Sequence, residues 1–140
     1  MKRQTIATII LDNLKNIKKE NGFYSSAGEN CFEWHEKPLD KDSYPAIIIR
    51  DPEDGIKMTA SSWVHSLKIE VDILANGKNS IFETREIISD VLKTFKNIQE
   101  EISFICLYKG SETIKEQADF SYSGTRMVFV VEYETRAWEQ

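Results

Sequence analysis

The chain has 140 residues, of which 41% are hydrophobic and 29% charged, and its formal net charge is -5. This length and composition predict one globular domain, residues 1–140, that buries its core without a metal or a disulfide. The acidic balance argues against binding to a phosphate backbone, so we expect no direct nucleic-acid recognition. No segment approaches the roughly 20 apolar residues of a membrane helix, so no membrane partner is expected.

The N-terminal part begins with a predicted amphipathic helix over residues 2–20, because apolar side chains recur there at helical spacing. Two short strands are predicted at residues 22–25 and 31–35, with a polar loop between them. A compact apolar strand follows at residues 44–50, where Pro45 is tolerated near the start. The apolar stripe of the helix consists of Ile6, Ile9, Ile10, Leu14 and Ile17.

Residues 51–62 form a polar segment between two strong strands. The segment is longer than the usual short hairpin connection. It is therefore either a flexible projecting loop or a long hairpin arm into which both strands extend. Its carboxylates, Asp51, Glu53 and Asp54, lack the alternating ligand pattern of a calcium loop, so we expect them to be solvated rather than metal-bound.

The strand predicted at residues 63–74 has the clearest pattern in the chain. Its odd positions are apolar apart from His65, whereas Ser66, Lys68, Glu70 and Asp72 occupy even positions. Successive strand side chains point to opposite faces, so one face is expected to pack against helices and the other to face water. Such a one-sided strand is typical of antiparallel or mixed sheets.

A second helix is predicted over residues 80–97, after the turn signal Asn76-Gly77. Ser80 and Glu83 match a capping box, in which each side chain accepts a hydrogen bond from a backbone donor at the helix start. The predicted inner stripe consists of Ile81, Ile88, Val91, Phe95 and Ile98, widened by Ile87 and Leu92.

The C-terminal part predicts strands at residues 104–108 and 127–134. Residues 120–122 either pair with the last strand through Ser123-Gly124 or belong to it across a bulge at Gly124. The complete order predicts an α+β fold, with a single mixed, mostly antiparallel sheet and two α-helices packed on one face.

The chain contains no phosphate loop, dinucleotide fingerprint, zinc-protease motif or hydrolase nucleophile motif, so we predict no catalytic residue, cofactor or metal. Cys31 and His35 would share one face of a strand, which permits a thiol with a histidine base. A lone Cys-x-x-x-His is a weak pattern, however, and a structural role is preferred. His65 is expected to be a neutral packing or subunit-contact residue with one hydrogen-bond partner.

Several aromatic residues lie near predicted strand ends, where they either cover the core or anchor another chain. The whole pattern resembles the phage tail terminator or tail-completion family, small proteins related to minor tail protein U. The resemblance spans most of the chain. It rests on the N-terminal helix and on the segments YPAIII, HSLKIEVDI, REIISDVL and VFVVEYET, which are residues 44–49, 65–73, 85–92 and 128–135.

The resemblance implies a non-enzymatic virion protein that is made in the bacterial host cytoplasm and resides in the virion tail. It implies assembly as a ring, commonly a hexamer, that caps the tail tube and contacts a head-side connector protein. Residues 51–62 and the sheet edges are expected to reach neighbouring subunits. The predicted interface residues are Asp51, Glu53, Asp54, Lys57, Met58, Trp63, Tyr122 and Trp138.

Two other functions stay open. One is a monomeric protein-binding or immunity-type module that recognises a partner through the acidic segment 51–62. The other is a small thiol enzyme that uses Cys31 and His35, which requires an accessible thiol of lowered pKa.

Overall fold

The computed structural model describes residues 1–35, 39–102, 104–117 and 121–140, in which two α-helices lie against one face of a five-stranded sheet. The strand order is β1-β2-β3-β5-β4, with β1 parallel to β2 and all other pairs antiparallel. This confirms the predicted α+β fold with a mixed, mostly antiparallel sheet. In chain order the elements are α1 (Lys2–Lys15), β1 (Cys31–Glu33), β2 (Ala46–Met58), β3 (Ser62–Asn76), α2 (Ser80–Glu101), β4 (Ile105–Gln117) and β5 (Ser121–Arg136).

Strand β3 is the central strand, paired with β2 on one side and β5 on the other. Its odd positions from His65 to Ile73 are fully buried under the helices, as the alternation predicts. We call this side of the sheet the helix face and the other side the open face. The open face is less exposed to solvent than predicted, because Glu70 is buried there among charged neighbours.

The core lies between the helix face and the two helices. Ile10 and Leu14 of α1 are fully buried, and Phe95 of α2 stacks on Phe129 of β5 with 3.7 Å between ring centroids. The predicted stripe of α2 is confirmed at Val91, Phe95 and Ile98, whereas nearer the start of the helix Ile87 is fully buried and Ile81 and Ile88 are only half-buried. The helix therefore presents Ile87, Val91 and Phe95, spaced four residues apart, to the sheet.

Three local predictions in the N-terminal part are wrong. The first helix ends at Lys15 rather than at residue 20. Residues 22–25 form no strand, because their backbone donors are taken by the Asp90 carboxylate on α2: it accepts hydrogen bonds from the Tyr24 and Ser25 amides, each at 2.9 Å. The strand predicted at residues 31–35 ends at Glu33, and Trp34 adopts a positive φ of 52° that no strand residue has.

The capping box predicted for the second helix is also wrong. Ser80 is the first helical residue and Asn79 occupies the cap position, with no side-chain capping hydrogen bond. The Ser80 hydroxyl is buried without a hydrogen-bond partner, and its carbonyl accepts a hydrogen bond from the Ser123 hydroxyl. Packing against β5 thus turns this serine toward the core. Gly77 makes the preceding turn, at a φ of 93° that favours glycine.

Residues 51–62 belong to a long hairpin arm, so the second of the two predicted alternatives is correct. Strands β2 and β3 stay paired as far as Met58 and Trp63. The register shifts between Arg50 and Glu53, where Pro52 lies. Beyond this bulge the outer edge of β2 has no strand partner within the described residues.

At the C-terminus, residues 121 and 122 are part of the same strand as residues 127–134. The register between β3 and β5 is unbroken through Gly124, so there is no bulge at that position. Phe120 lies outside the described residues. Strand β4 is longer than predicted and has a bulge between Tyr108 and Gly110. In the described part of the chain no helix has the length and apolar character needed to cross a bilayer.

Replacing Asp90 is expected to destabilise the fold strongly. The Asp90→Ala change removes an acceptor that is 1% exposed and leaves the Tyr24 and Ser25 amides and the Ser25 hydroxyl without it. We expect a loss of about 3 kcal/mol in the free energy of unfolding, measured by urea denaturation. Glu100→Ala, an exposed change on the same helix, is the control and should lose less than about 0.5 kcal/mol. Equal losses in the two variants would contradict this role.

Candidate interaction surface

The predicted interface residues fall at two ends of the sheet. Seven of them lie at the arm end, whereas Tyr122 pairs with Asn76 at the far end of β3. From Trp63 to Asn76 is thirteen residue steps, or about 43 Å along the strand. The seven at the arm end are Asp51, Glu53, Asp54, Lys57, Met58, Trp63 and Trp138.

Apolar side chains cluster on the helix face of the arm, beyond the reach of the helices. Ile56 pairs with His65 and Met58 with Trp63, so all four side chains project to the same side. The Trp138 ring lies 5.1 Å from the Trp63 ring, yet Trp138 is 86% exposed and Met58 68% exposed. We call Ile56, Met58, Trp63 and Trp138 the arm patch. Ile56 was not among the predicted interface residues, although strand alternation from Asp54 to Met58 places it on the same face as Met58.

Trp138 is held in an unusual backbone conformation. Its φ of 69° is in the left-handed region, which bulky residues rarely adopt. The neighbouring Ala137 amide donates to the Ser61 carbonyl, and the Glu139 amide donates to the Arg136 carbonyl. These bonds tie the C-terminal turn to the arm. Strain of this kind persists only where surrounding contacts hold it, so these bonds fix the backbone that carries the exposed indole.

Two of the predicted interface carboxylates turn inward. Asp51 accepts hydrogen bonds from Arg3 Nε at 2.9 Å and from Trp34 Nε1 at 2.8 Å. Asp54 Oδ2 lies 2.7 Å from His65 Nδ1. Both acids therefore anchor the arm to the body of the domain, while Glu53 and Lys57 remain exposed.

His65 links three parts of the chain beneath the arm patch. Its Nδ1 bonds to Asp54 on β2, and its Nε2 lies 2.7 Å from the Thr135 hydroxyl on β5. The ring also stacks on Tyr133 at 4.4 Å. When the ring donates from Nδ1 to Asp54, its Nε2 is left to pair with the Thr135 hydroxyl. His65 thus has two hydrogen-bond partners rather than the one predicted, and it is a packing residue.

The order Asp54, His65, Thr135 has the connectivity of a hydrolase triad, but its surroundings differ. His65 is fully buried, and the single proton of the Thr135 hydroxyl can go either to His65 Nε2 or to the Glu139 carbonyl oxygen, which lies 3.1 Å away. Burial, together with the negative Asp54 nearby, raises the pKa of Tyr133 to about 12, so its phenol stays neutral beside the imidazole. This arrangement joins the arm to the C-terminal turn.

The open face carries a second surface feature at the far end, which we call the sheet cleft. It has a volume of about 690 Å³. Gly124 forms part of the floor, and the lining combines apolar and aromatic side chains with two acids and one base. The residues that line it are Tyr44, Asp72, Leu74, Glu112, Ile114, Tyr122, Ser123, Gly124, Thr125 and Arg126.

An ion-pair network forms one end of the cleft. Asp72 on β3 pairs with Arg126 on β5, with oxygen–nitrogen distances of 2.8 and 3.0 Å, and with Arg50 on β2. Burial raises the pKa of the Asp72 carboxyl, but hydrogen bonds from Arg126 and Arg50 outweigh it and hold the pKa below its usual value. The network ties three adjacent strands together.

Cys31 has the structural role that was preferred from the sequence rather than that of a thiol activated by a histidine base. Cys31 points into the core and is 6% exposed, and burial raises its pKa to about 12. The His35 ring instead lies 5.0 Å from the Phe32 ring, because the strand ends at Glu33. A buried thiol of high pKa is a poor nucleophile at neutral pH. Both cysteines are free, and the described residues hold no group of three His, Cys, Asp or Glu side chains suited to a metal.

Comparisons with known proteins find no relative of this chain: no protein-family model and no curated protein matches it. The tail-terminator resemblance therefore rests on the sequence pattern, and it stays a prediction.

Neutralising Asp72 should lower stability in a pH-dependent way. Because the folded pKa is lowered, the carboxylate contributes stability above its unfolded pKa of about 3.9, and that contribution is lost as the pH falls through the folded value. We expect Asp72→Asn to cost about 1–2 kcal/mol at pH 7, with the difference from wild type shrinking below about pH 4. Chemical denaturation across pH measures it. The exposed Asp12→Asn control should show no such trend, and a difference independent of pH would contradict the assignment.

Alkylation tests the thiol chemistry. We expect iodoacetamide at pH 7 to modify Cys31 at least about a hundredfold more slowly in the folded protein than in urea, because the thiol is both buried and protonated. Cys106, half-buried with a pKa raised by burial to about 11, is the internal comparison and should react faster than Cys31. Rapid labelling of Cys31 in the folded protein, with a pH dependence that gives the thiol a pKa near 7, would contradict this expectation and support the thiol-enzyme hypothesis.

Proposed function

We propose that the protein is a phage or prophage tail terminator or head–tail joining subunit, which assembles as a ring, most simply a hexamer, at the end of the tail tube. The observation that carries this proposal is the arm patch. A cluster of exposed Trp138, Met58 and Ile56 with half-buried Trp63 at the end of a braced hairpin has the composition of an interface centre rather than of a free surface.

The placement of surface features also favours a ring. A closed ring of identical subunits repeats one contact between two different surfaces of the same chain. The arm patch and the sheet cleft are two such surfaces, separated by the length of the sheet. The tail-tube protein and the head-side connector protein are the further partners, which the two rims of a ring would contact.

The monomeric binding module is less well supported by the geometry. It was expected to use the acidic segment 51–62, but Asp51 and Asp54 are bonded inside the domain. Only Glu53 of the three acids is exposed. The thiol enzyme is likewise disfavoured by the burial of Cys31.

Assembly in solution and in tails tests the proposed function. We expect analytical ultracentrifugation of the wild-type protein over a range of concentrations to show a closed oligomer of hexameric mass, and mass spectrometry of purified tails to contain the chain. Trp138→Ala should raise the concentration needed for assembly by at least about tenfold, since an aromatic anchor at an interface centre contributes about 1.4 kcal/mol or more.

Phe82→Ala is the matched control, because Phe82 is an aromatic residue 65% exposed on α2, away from the arm. It should assemble as wild type does. A protein that stays monomeric at the highest concentrations, with and without tail tubes, and that is absent from tails would overturn the proposal.

A further inference from the structure

Gly124 is a glycine that its own strand does not require. It lies inside β5, at an unbroken register position between Leu74 on β3 and Ile114 on β4, and its φ is not in the positive range. A Cβ atom there would meet only the Leu74 side chain, at an ordinary 3.5 Å. Neither backbone conformation nor internal packing requires a glycine. Glycine weakens a strand, and inside one it often marks the close approach of another group.

The space above Gly124 is the sheet cleft, whose volume is that of an ordinary binding pocket. Ile114, at its wall, is 59% exposed, and Leu74 and Tyr44 add further apolar surface. A planar aromatic ring can lie on a glycine floor between such walls. The cleft thus has room for a large side chain presented from outside, with apolar contacts from Ile114, Leu74 and Tyr44.

The arm patch and the cleft face in opposite directions. The patch lies on the helix face at the arm end of the sheet, and the cleft lies on the open face at the other end. Two copies in similar orientations, shifted along the strand direction, therefore bring the patch of one against the cleft of the next. This is the geometry of a head-to-tail contact, whereas a two-fold dimer would pair each surface with itself.

The charges around the two surfaces are complementary. The groove beside Trp138 is lined by two bases, Lys2 and Arg136, and one acid, Glu139. The cleft is lined by two acids and one base, so acid is in excess within its lining. Arg126 is paired with Asp72 and also lies opposite Glu112 in the register, so this one base is shared by both acids, and Glu112 is exposed to a basic neighbour at the cleft wall. Opposite charges at facing rims favour this register of docking.

We propose that the Trp138 indole of one subunit occupies the sheet cleft of the next, with Lys2 and Arg136 facing Glu112. This rests on the proposed ring and names the two surfaces that build it. The occupant of the cleft is a second copy of this chain, and the contact repeats around the ring.

Mixing two one-sided variants tests the docking. Trp138→Ala removes the arm contact and keeps the cleft, whereas Ile114→Lys blocks the cleft and keeps the arm. Ile114 is exposed, so its replacement should not disturb folding. Each variant alone should be monomeric at a concentration where the wild type forms rings. An equimolar mixture should give dimers and nothing larger, because only one intact arm and one intact cleft can meet. Native mass spectrometry resolves these species.

Gly124→Leu is an independent cleft variant, which fills the cleft from its floor and should behave as Ile114→Lys does. Phe82→Ala serves again as the control and should form rings. A mixture that stays monomeric, or rings that survive Trp138→Ala or both cleft variants, would overturn the docking while leaving the ring intact. A wild-type protein that never assembles would overturn the docking and the proposed function together.

Discussion

The sheet is longer than the two helices that cover it. This difference in length determines which apolar side chains of the sheet are left exposed. Strand β3 has 15 residues and extends about 50 Å, whereas α1 with 14 residues and α2 with 22 extend about 21 and 33 Å. The helices bury the middle of the sheet, from Leu67 to Ile73. The arm, paired but uncovered, must therefore expose apolar side chains on a face that elsewhere belongs to the core.

An uncovered arm needs other support, and buried polar contacts provide it. His65 joins β2 to β5 through Asp54 and Thr135, and Arg3 of α1 holds Asp51 at the base of the arm. These bonds link residues far apart in the sequence. They fix the arm relative to the helices, so Trp63 and the exposed Trp138 lie on a braced part of the sheet, which lowers the conformational entropy lost when another chain binds there.

The features predicted correctly from the sequence are those that short-range periodicity determines. The alternation around Leu67 and Ile69 correctly assigned the central strand, its faces and the fold class. It could not assign the arm, because Pro52, Glu53 and Lys57 interrupt the pattern of a strand that is held by its partner rather than by burial. The contacts of Asp90 and His65 join distant segments, and no local pattern reveals them. Met58, Trp63 and Trp138 were predicted as interface residues from their places in the segment 51–62 and near strand ends, but which of the predicted residues share one end of the sheet depends on strand lengths, which local patterns do not give.

The bulge of β2 at Pro52 affects how copies of this chain can associate through their strand edges. Head-to-tail contacts between identical subunits end in a ring only when rotation closes them, and otherwise produce open filaments. A bare strand edge offers a second route to filaments, through backbone pairing between chains. Pro52 has no amide proton to donate, and the bulge between Tyr108 and Gly110 breaks the regular register of β4. These two features make the arm edge of β2 and the edge of β4 poorer templates for pairing with a strand of another chain.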